Sequence, residues 1–168
     1  MRLSSASPDS FFELRNRQKL CAVDLRLLRK IIFALLKALA INRFELGVRL
    51  VESKEMTLMN EEYLCHAGST DVITFNYSSG PNPKVIQGDI VICMTDAVEQ
   101  ARRFRTSWQA ELARYLIHGV LHLQGYDDRR PSDRSRMKSE EERLLGEMES
   151  RFPLRDLKRS NPRCIAKP

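Results

Sequence analysis

The segment SWQAELARYLIHGVLHLQGYDD, residues 107–128, carries the strongest helical pattern in this chain of 168 residues. Apolar residues recur in it at helical spacing and form one stripe, made of Leu112, Leu116, Val120 and Leu123. His118 and His122 stand four residues apart, one helical turn, and lie mainly on another face. Gly125 then marks the end of the helix, and two aspartates follow. The pattern predicts a helix over 107–124 that packs on one face and carries two imidazoles on another.

These two histidines have the spacing of metal ligands. Two imidazole nitrogens one turn apart can bind the same zinc ion, at about 2.0–2.1 Å each. A left-handed turn at Gly125 would bring Asp128 back toward the metal, so the pattern His-x3-His-x5-Asp predicts one zinc ion held by His118, His122 and Asp128. Three protein ligands and an open position are typical of catalytic zinc, which polarises a substrate oxygen, activates water, or does both. The alternative, that both histidines are ordinary surface or capping residues, stays open at this point.

Position 119 distinguishes the pattern from that of the H-E-x-x-H metalloproteases. In those enzymes a glutamate follows the first histidine and acts as general base, whereas this chain has Gly119 there. Peptide hydrolysis by that route would lack its base. The reaction would need a better leaving group or a base from elsewhere in the chain. Asp71 is a candidate for that base, and it would serve equally well as a turn cap before its strand.

The rest of the chain alternates between strand-like and helical patterns. Alternating or β-branched residues predict strands over 10–18, 44–52, 71–77 and 88–94. Apolar periodicity predicts helices over 24–41, 53–64, 95–104, 107–124 and 132–152. Capping residues are expected at Asp24, Ser53 and Thr95. The order β-α-β-α-β-β-α-α-α predicts an α+β fold, a small mixed sheet of about four strands packed with about five helices.

Length and charge indicate one soluble domain with a basic end. The four cysteines are widely spaced, which is typical of a reduced, cytoplasmic protein. The most apolar run, residues 31–41, is too short and too charged to cross a membrane. Residues 151–168 hold six basic residues and one acidic residue, whereas residues 1–150 hold 22 and 21. We therefore predict a domain over 1–152 and a basic, flexible tail over 153–168, which either contacts nucleic acid or is merely solvated.

Three sequence blocks resemble one known family. HGVLHLQGYDD (118–128) is similar to the H-G-x-L-H-L-x-G-Y-D-H signature of the YbeY family of bacterial rRNA-maturation endoribonucleases. MNEEYLCHAGSTDVITF (59–75) resembles that family's L-N-x-x-Y-R-x-K-D-x-P-T-D-V-L-S-F segment, and GDIVIC (88–93) resembles its G-D-I-x-I-S strand. The order and spacing of the blocks agree, and the likeness covers roughly residues 10 to 150.

The resemblance implies a zinc-dependent hydrolase that cleaves single-stranded RNA in ribosomal RNA maturation and ribosome quality control, with the small ribosomal subunit or its associated factors as partners. It assigns the zinc ligands to His118, His122 and the residue at 128. The chain departs from the family pattern twice. Asp128 stands where the family has its third histidine, and Leu64 stands where it has an arginine facing the cleft. Two alternatives therefore remain: an RNA- or ribosome-associated binding factor with weak or no catalysis, and a metal hydrolase acting on another substrate.

Arginines near both ends of the metal helix are candidates for RNA contact. They are Arg102, Arg103, Arg105, Arg129, Arg130, Arg134 and Arg136. A solvated rim is the alternative interpretation. His66 is interpreted as a loop residue, although it is also the nearest substitute for the missing arginine. Tyr126 and Trp108 are expected to pack rather than react.

Overall fold

The computed structural model describes residues 10–80 and 82–159, and it contains the predicted elements in the predicted order. The strands are β1 (Phe11–Asn16), β2 (Arg43–Val51), β3 (Val72–Asn76) and β4 (Val85–Cys93). The helices are α1 (Leu25–Ala38), α2 (Ser53–Leu64), α3 (Met94–Phe104), α4 (Trp108–Leu123) and α5 (Pro131–Arg151). A short 3₁₀ helix follows at Leu154–Leu157. The α+β fold is confirmed.

The sheet is mixed, as predicted, and its strand order is β1-β2-β4-β3. Strands β1, β2 and β4 run parallel, with Phe12 opposite Leu46 and Leu46 opposite Gly88. Strand β3 pairs antiparallel with β4, with Thr74 opposite Ile90. Strand β3 is therefore an edge strand, and its outer side is not covered by another strand of this sheet.

Most of the core lies on one face of the sheet. Alternate residues of each strand face opposite sides, so Ile86, Ile90 and Ile92 of β4 join a large apolar cluster with α1, α4 and α5. On the other face, Val91 and Cys93 join a smaller cluster with Met56 of α2. Helices α4 and α2 thus cover opposite faces near β4, and the edge strand β3 lies beside both.

Helix α4 approaches the sheet closely because two glycines leave room for it. A Cβ atom at Gly119 would lie 2.7 Å from Cγ2 of Ile90, and one at Gly88 would lie 2.7 Å from Cδ2 of Leu123. Helix α4 therefore runs antiparallel to β4, with position 119 facing the sheet. The packing fixes the rotation of α4 and with it the direction in which the two histidines project.

Two of the three expected capping residues have another role. Asp24 caps α1, since its Oδ1 accepts the N–H groups of Arg26 and Leu27 at 2.9 and 3.0 Å. The predictions for Ser53 and Thr95 were wrong, because each lies inside its helix rather than before it. Instead, the Thr95 hydroxyl accepts the Ser53 N–H at 3.1 Å, so the two residues join the first turns of α2 and α3.

The predicted start of the flexible tail at residue 153 is also wrong for the residues described. Leu154 and Leu157 are buried, and the Leu157 carbonyl accepts the Asp24 N–H at 2.8 Å. Lys158 forms a β-bridge with Val23, and the Arg159 N–H donates to the Ala22 carbonyl. The apolar pair Leu154 and Leu157 drives this docking. Residues 160–168, which carry the rest of the predicted tail, lie outside the described part.

No helix among the described residues combines the length and the apolar character that a membrane crossing needs.

Candidate metal centre

Helix α4 brings the two predicted histidine ligands together. Ser107 caps the helix by accepting the Ala110 N–H at 3.1 Å. His118 and His122 are both partly buried, with 31% and 24% of their side-chain surface exposed. Their Nε2 atoms lie 3.0 Å apart, so both rings point at the same small volume.

A turn after α4 adds Asp128 to this pair, as predicted. Gly125 has φ +95°, the left-handed conformation that glycine adopts most readily. The chain reverses there, and the Asp127 side chain accepts the N–H groups of Asp128 and Arg129 at 2.8 and 3.1 Å. Oδ2 of Asp128 consequently lies 3.7 Å from Nε2 of His122. Among the described residues, His118, His122 and Asp128 form the one group of ionisable side chains that could hold a metal ion, with ligand atoms within 4.8 Å of one another.

The spacing of these atoms fits a tetrahedral ion. Ligands about 2.0–2.1 Å from zinc, at tetrahedral angles, lie about 3.3 Å from one another. The two separations that involve His122, 3.0 and 3.7 Å, bracket that value, and all three ligand atoms lie within 4.8 Å of one another. The three side chains come from one helix and one short turn, so little rearrangement is needed to bind an ion.

The outer nitrogen of each imidazole has an acceptor that fixes its proton. His122 Nδ1 lies 3.1 Å from the Tyr126 carbonyl oxygen, and His118 Nδ1 lies 3.0 Å from Oε2 of Glu141. A carbonyl and a carboxylate only accept, so each Nδ1 donates and each neutral ring keeps a bare Nε2. Two bare nitrogens at 3.0 Å repel each other. A cation between them, either a proton or a metal ion, relieves that repulsion.

Ionisation differs between the two rings. Burial alone would lower the pKa of His118, but the hydrogen bond and charge of Glu141, with the charges of Asp71 and Asp128, raise it overall. Burial and the neighbouring His118 lower the pKa of His122. Burial acts to raise the pKa of Glu141, and its bonds to His118 and Arg114 outweigh that effect and lower it. When no metal is bound, the extra proton therefore belongs to His118.

Glu141 was missed by the sequence analysis. It stands in the acidic run SEEER of α5, 23 residues after His118, and nothing in the pattern separates it from its neighbours. Burial distinguishes the two residues, because Glu141 is buried whereas the adjacent Glu142 is exposed, and this difference is visible only in the structure. Tyr126 contributes its backbone carbonyl, a role that no side-chain pattern reveals.

Asp71 lies close enough to the centre for its charge to raise the pKa of His118. Its side chain also accepts the Val72 N–H at 2.8 Å and the Thr70 hydroxyl at 3.2 Å. The carboxylate therefore caps the start of β3, which is the structural role expected as the alternative. Its role as a base stays a prediction.

The predicted RNA-binding arginines fall into two groups. Arg129 and Arg130 follow Asp128 directly and are exposed, and Arg134 donates from Nε to the Asp128 carbonyl at 3.0 Å. Arg136 is also exposed, on the second turn of α5, whereas Arg102, Arg103 and Arg105 lie where α3 ends and α4 begins. The first residue of α4, Trp108, is 14 residues before His122, which is about 21 Å along the helix. The structure thus places only the first group beside the candidate metal centre.

Leu64 is the last residue of α2 and is 44% exposed. His66 is exposed in the loop that follows. Buried Asn60 donates to the Gly68 carbonyl at 2.8 Å, and the Ser69 hydroxyl donates to Asp96 of α3 at 3.2 Å. The loop after Leu64 is therefore tied to the domain at two points.

Comparison with known proteins identifies the family of this chain. The family model described as Endoribonuclease YbeY matches residues 13–149. Among curated proteins of that name, the one from Anaeromyxobacter dehalogenans is 36% identical over 144 residues, which is 86% of this chain and 69% of the relative. The one from Salinibacter ruber is 32% identical, over 73% of this chain and 82% of the relative. The one from Chlorobium luteolum is 47% identical over 54% of this chain, and the match spans 64% of that relative.

A solved structure shares the fold. The solution structure of TM1509 from Thermotoga maritima superposes with a TM-score of 0.64 and 24% identity, covering 90% of this chain and 98% of that one. The family model spans most of the domain, including β2, β4, α4 and both histidines. The chain belongs to the Endoribonuclease YbeY family.

Proposed function

We propose that this chain is a zinc-dependent endoribonuclease specific for single-stranded RNA, which acts in the cytoplasm in ribosomal RNA maturation and ribosome quality control. The observation that carries the proposal is the convergence of His118 Nε2, His122 Nε2 and Asp128 Oδ2 on one point. The partners would be ribosomal RNA and the small ribosomal subunit or its associated factors, as the family resemblance implies.

The residues present fit a zinc ion. His118, His122 and Asp128 would hold it, and zinc supplies Lewis acidity toward a phosphodiester oxygen and toward water. The chain's own groups prepare the ligands. The Tyr126 carbonyl and the Glu141 carboxylate keep a proton on each Nδ1, and both Nε2 lone pairs stay free. Asp71, whose charge reaches His118, is the candidate base.

RNA would be held by arginines on the α5 side of the centre. Arg129 and Arg130 would meet phosphates, because both are exposed and follow a proposed metal ligand in sequence; the Arg129 side chain, paired with Asp127 at 3.6 Å, is still 88% exposed. Arg102, Arg103 and Arg105 would contact a different part of the strand, near the other end of α4. Contacts of this kind bind the backbone without reading sequence, which suits a substrate recognised by its single-stranded form.

The packing of Gly119 weighs against peptide hydrolysis. In the metalloprotease pattern, the residue after the first histidine is the catalytic glutamate. Here that position faces β4, where even a Cβ would meet Ile90 at 2.7 Å. There is no room for a glutamate base at this position. Peptide hydrolysis by the metalloprotease route is therefore disfavoured, and RNA is the substrate that we propose.

The test is cleavage of matched single-stranded and double-stranded RNA oligonucleotides, with zinc content measured on the same preparations. We expect about one zinc per chain, cleavage of the single strand only, and loss of cleavage with a chelator. His122→Ala should lose both zinc and cleavage. His66→Ala, a substitution of the exposed third histidine, should retain its zinc. Protein that holds zinc and binds RNA but cuts none would favour the binding-factor alternative, and protein that never holds a transition metal would contradict the proposal.

A further inference from the structure

Glu141 makes two directed contacts that join α5 to the metal helix. Its Oε2 lies 3.0 Å from His118 Nδ1, and its Oε1 accepts from Arg114 Nη1 at 3.2 Å. The carboxylate has only 12% of its side-chain surface exposed. Each oxygen therefore has a partner of its own, and both partners lie on α4 one turn apart.

We propose that Glu141 is a positioning residue of the metal centre, and that Arg114 holds it in place. This inference rests on the metal site proposed above. The carboxylate accepts the proton of His118 Nδ1, so the tautomer with a bare Nε2 is the favoured one. It also fixes the rotation of the ring, because an imidazole bonded at Nδ1 can point Nε2 in only one direction.

Arg114 makes the arrangement rigid. If the Glu141 carboxylate were bonded only to His118, its terminal side-chain torsion could still rotate. The hydrogen bond from Arg114 Nη1 to the other carboxylate oxygen restricts that rotation. Arg114 is in turn flanked by Glu111, whose Oε2 lies 3.9 Å from Arg114 Nε. Glu111 is itself bonded to the Thr106 hydroxyl at 2.5 Å. Hydrogen bonds from Thr106 to Glu111, and from Arg114 and His118 to Glu141, together with the Glu111–Arg114 ion pair, thus form one polar series that ends on a proposed metal ligand.

A purely structural salt bridge between α4 and α5 would not need this geometry. The ion pair with Arg114 uses one oxygen, and the second oxygen could remain in water. Instead it is directed at the one imidazole nitrogen that must carry a proton for the other to bind metal. The neighbouring carboxylates on α5 differ. Glu140 pairs with Arg143 on the surface, and the described part of the chain supplies Glu142 with no hydrogen-bond or ion-pair partner.

The experiment compares Glu141→Gln with Glu142→Gln, which makes the same chemical change one residue away. Zinc affinity is measured by competition with a chromophoric chelator. Losing a group of this kind weakens metal binding by about 10- to 100-fold, so we expect at least tenfold for Glu141→Gln and no change for Glu142→Gln. Arg114→Met, which leaves the carboxylate in place but frees it, should weaken zinc binding less. An E141Q protein with wild-type zinc affinity would overturn the proposal.

A second measurement needs no metal. In metal-free protein, at a pH where the imidazoles are neutral, ¹⁵N chemical shifts report which ring nitrogen carries the proton. His118 should be protonated at Nδ1 in the wild type and in E142Q, and the population protonated at Nε2 should rise in E141Q. An unchanged tautomer in E141Q would overturn the positioning role. If the wild type bound no zinc, the metal site would fail, while the tautomer result would still decide the role of Glu141. If E141Q does not fold, zinc affinity and the His118 tautomer are measured in R114M instead. We expect weaker zinc binding and a larger population protonated at Nε2 than in the wild type.

Discussion

A carboxylate serves as the third candidate ligand in this chain, where the family signature has histidine. The turn at Gly125 delivers the backbone of residue 128 to the centre, and the side chain has only to reach inward. Asp and His can both do so, and zinc accepts either oxygen or nitrogen. Asp adds a negative charge, which should leave bound water less acidic than a third histidine would.

We predict that Asp128→Ala lowers zinc affinity by at least tenfold, by the usual size of such effects, because two ligands remain. Asp128→His should retain zinc and shift the pH–rate profile to lower pH, since one negative charge leaves the site. Chelator competition measures the first effect and RNA cleavage across a pH series the second. Unchanged affinity in Asp128→Ala would show that this carboxylate is not a ligand.

Leu64 is the other departure at the scale of single residues. A positioned cation that stabilises charge developing on a phosphate can contribute about 3 kcal/mol, or some hundredfold in rate. We predict that Leu64→Arg raises RNA cleavage, by up to that amount, without changing zinc affinity. The end of α2 is exposed, so the arginine need not be buried.

The matched control is Leu58→Arg. Leu58 is 60% exposed on the same helix, six residues earlier, so the substitution adds the same charge away from the loop that follows Leu64. Single-turnover cleavage rates at saturating protein separate catalysis from affinity. Equal rate gains in both variants at saturating protein would mean that any added positive charge on α2 speeds cleavage and that position 64 has no special role.

At the scale of elements, the packing of α4 on β4 positions both histidines. We predict that Gly119→Ala destabilises the fold by about 1–3 kcal/mol, because a new methyl group would overlap the buried Ile90. Gly146→Ala is the control, since nothing lies within 4 Å of a Cβ built there on α5. Alanine should stabilise that helix, by about 0.5–1 kcal/mol. Denaturant unfolding of metal-free protein measures both, and an undisturbed G119A would show that α4 can move away from the sheet.

The order of elements could be predicted because each has a clear local period, and the convergence of His118 and His122 could be predicted because both lie on one helix, one turn apart. The failures involve contacts between distant segments. Thr95 looked like a cap, yet its hydroxyl meets the first turn of α2, 42 residues away. Strand β4 begins at Val85 rather than Gly88, because Gly88 lies inside the strand where Leu123 approaches it. Glu141 was missed because its partners lie on α4 rather than on its own helix.

At the scale of the whole molecule, charge around the centre is uneven. On the α5 side, four exposed arginines lie within eight residues of Asp128: Arg129, Arg130, Arg134 and Arg136. On the α2 side, residues 52–66 hold four glutamates and one lysine. We therefore expect an RNA backbone to favour the arginine-rich segment that follows Asp128 over the acidic α2 segment. The end of α2 holds no lysine or arginine, so Leu64→Arg would add a cation to an acidic segment.

The C-terminal segment divides into a docked part and a basic part, and the last prediction separates them. Deleting residues 154–168 removes the buried Leu154 and Leu157 and the bond from the Asp24 N–H. Truncating one buried leucine to alanine typically costs about 2–5 kcal/mol, so this deletion should destabilise the domain by at least that much.

Deleting residues 160–168 removes none of the described contacts but takes away Arg163 and Lys167. We predict unchanged unfolding and a flatter salt dependence of RNA binding. Each phosphate contact on a single strand contributes about 0.7 to the slope of log K against log salt, so two cations account for about 1.4. A full-length protein with Arg163→Gln and Lys167→Gln is the matched control and should show the same slope as the short deletion. If wild type, deletion and double variant share one slope, these two cations do not contact RNA, and the salt-dependent binding comes from cations elsewhere in the chain.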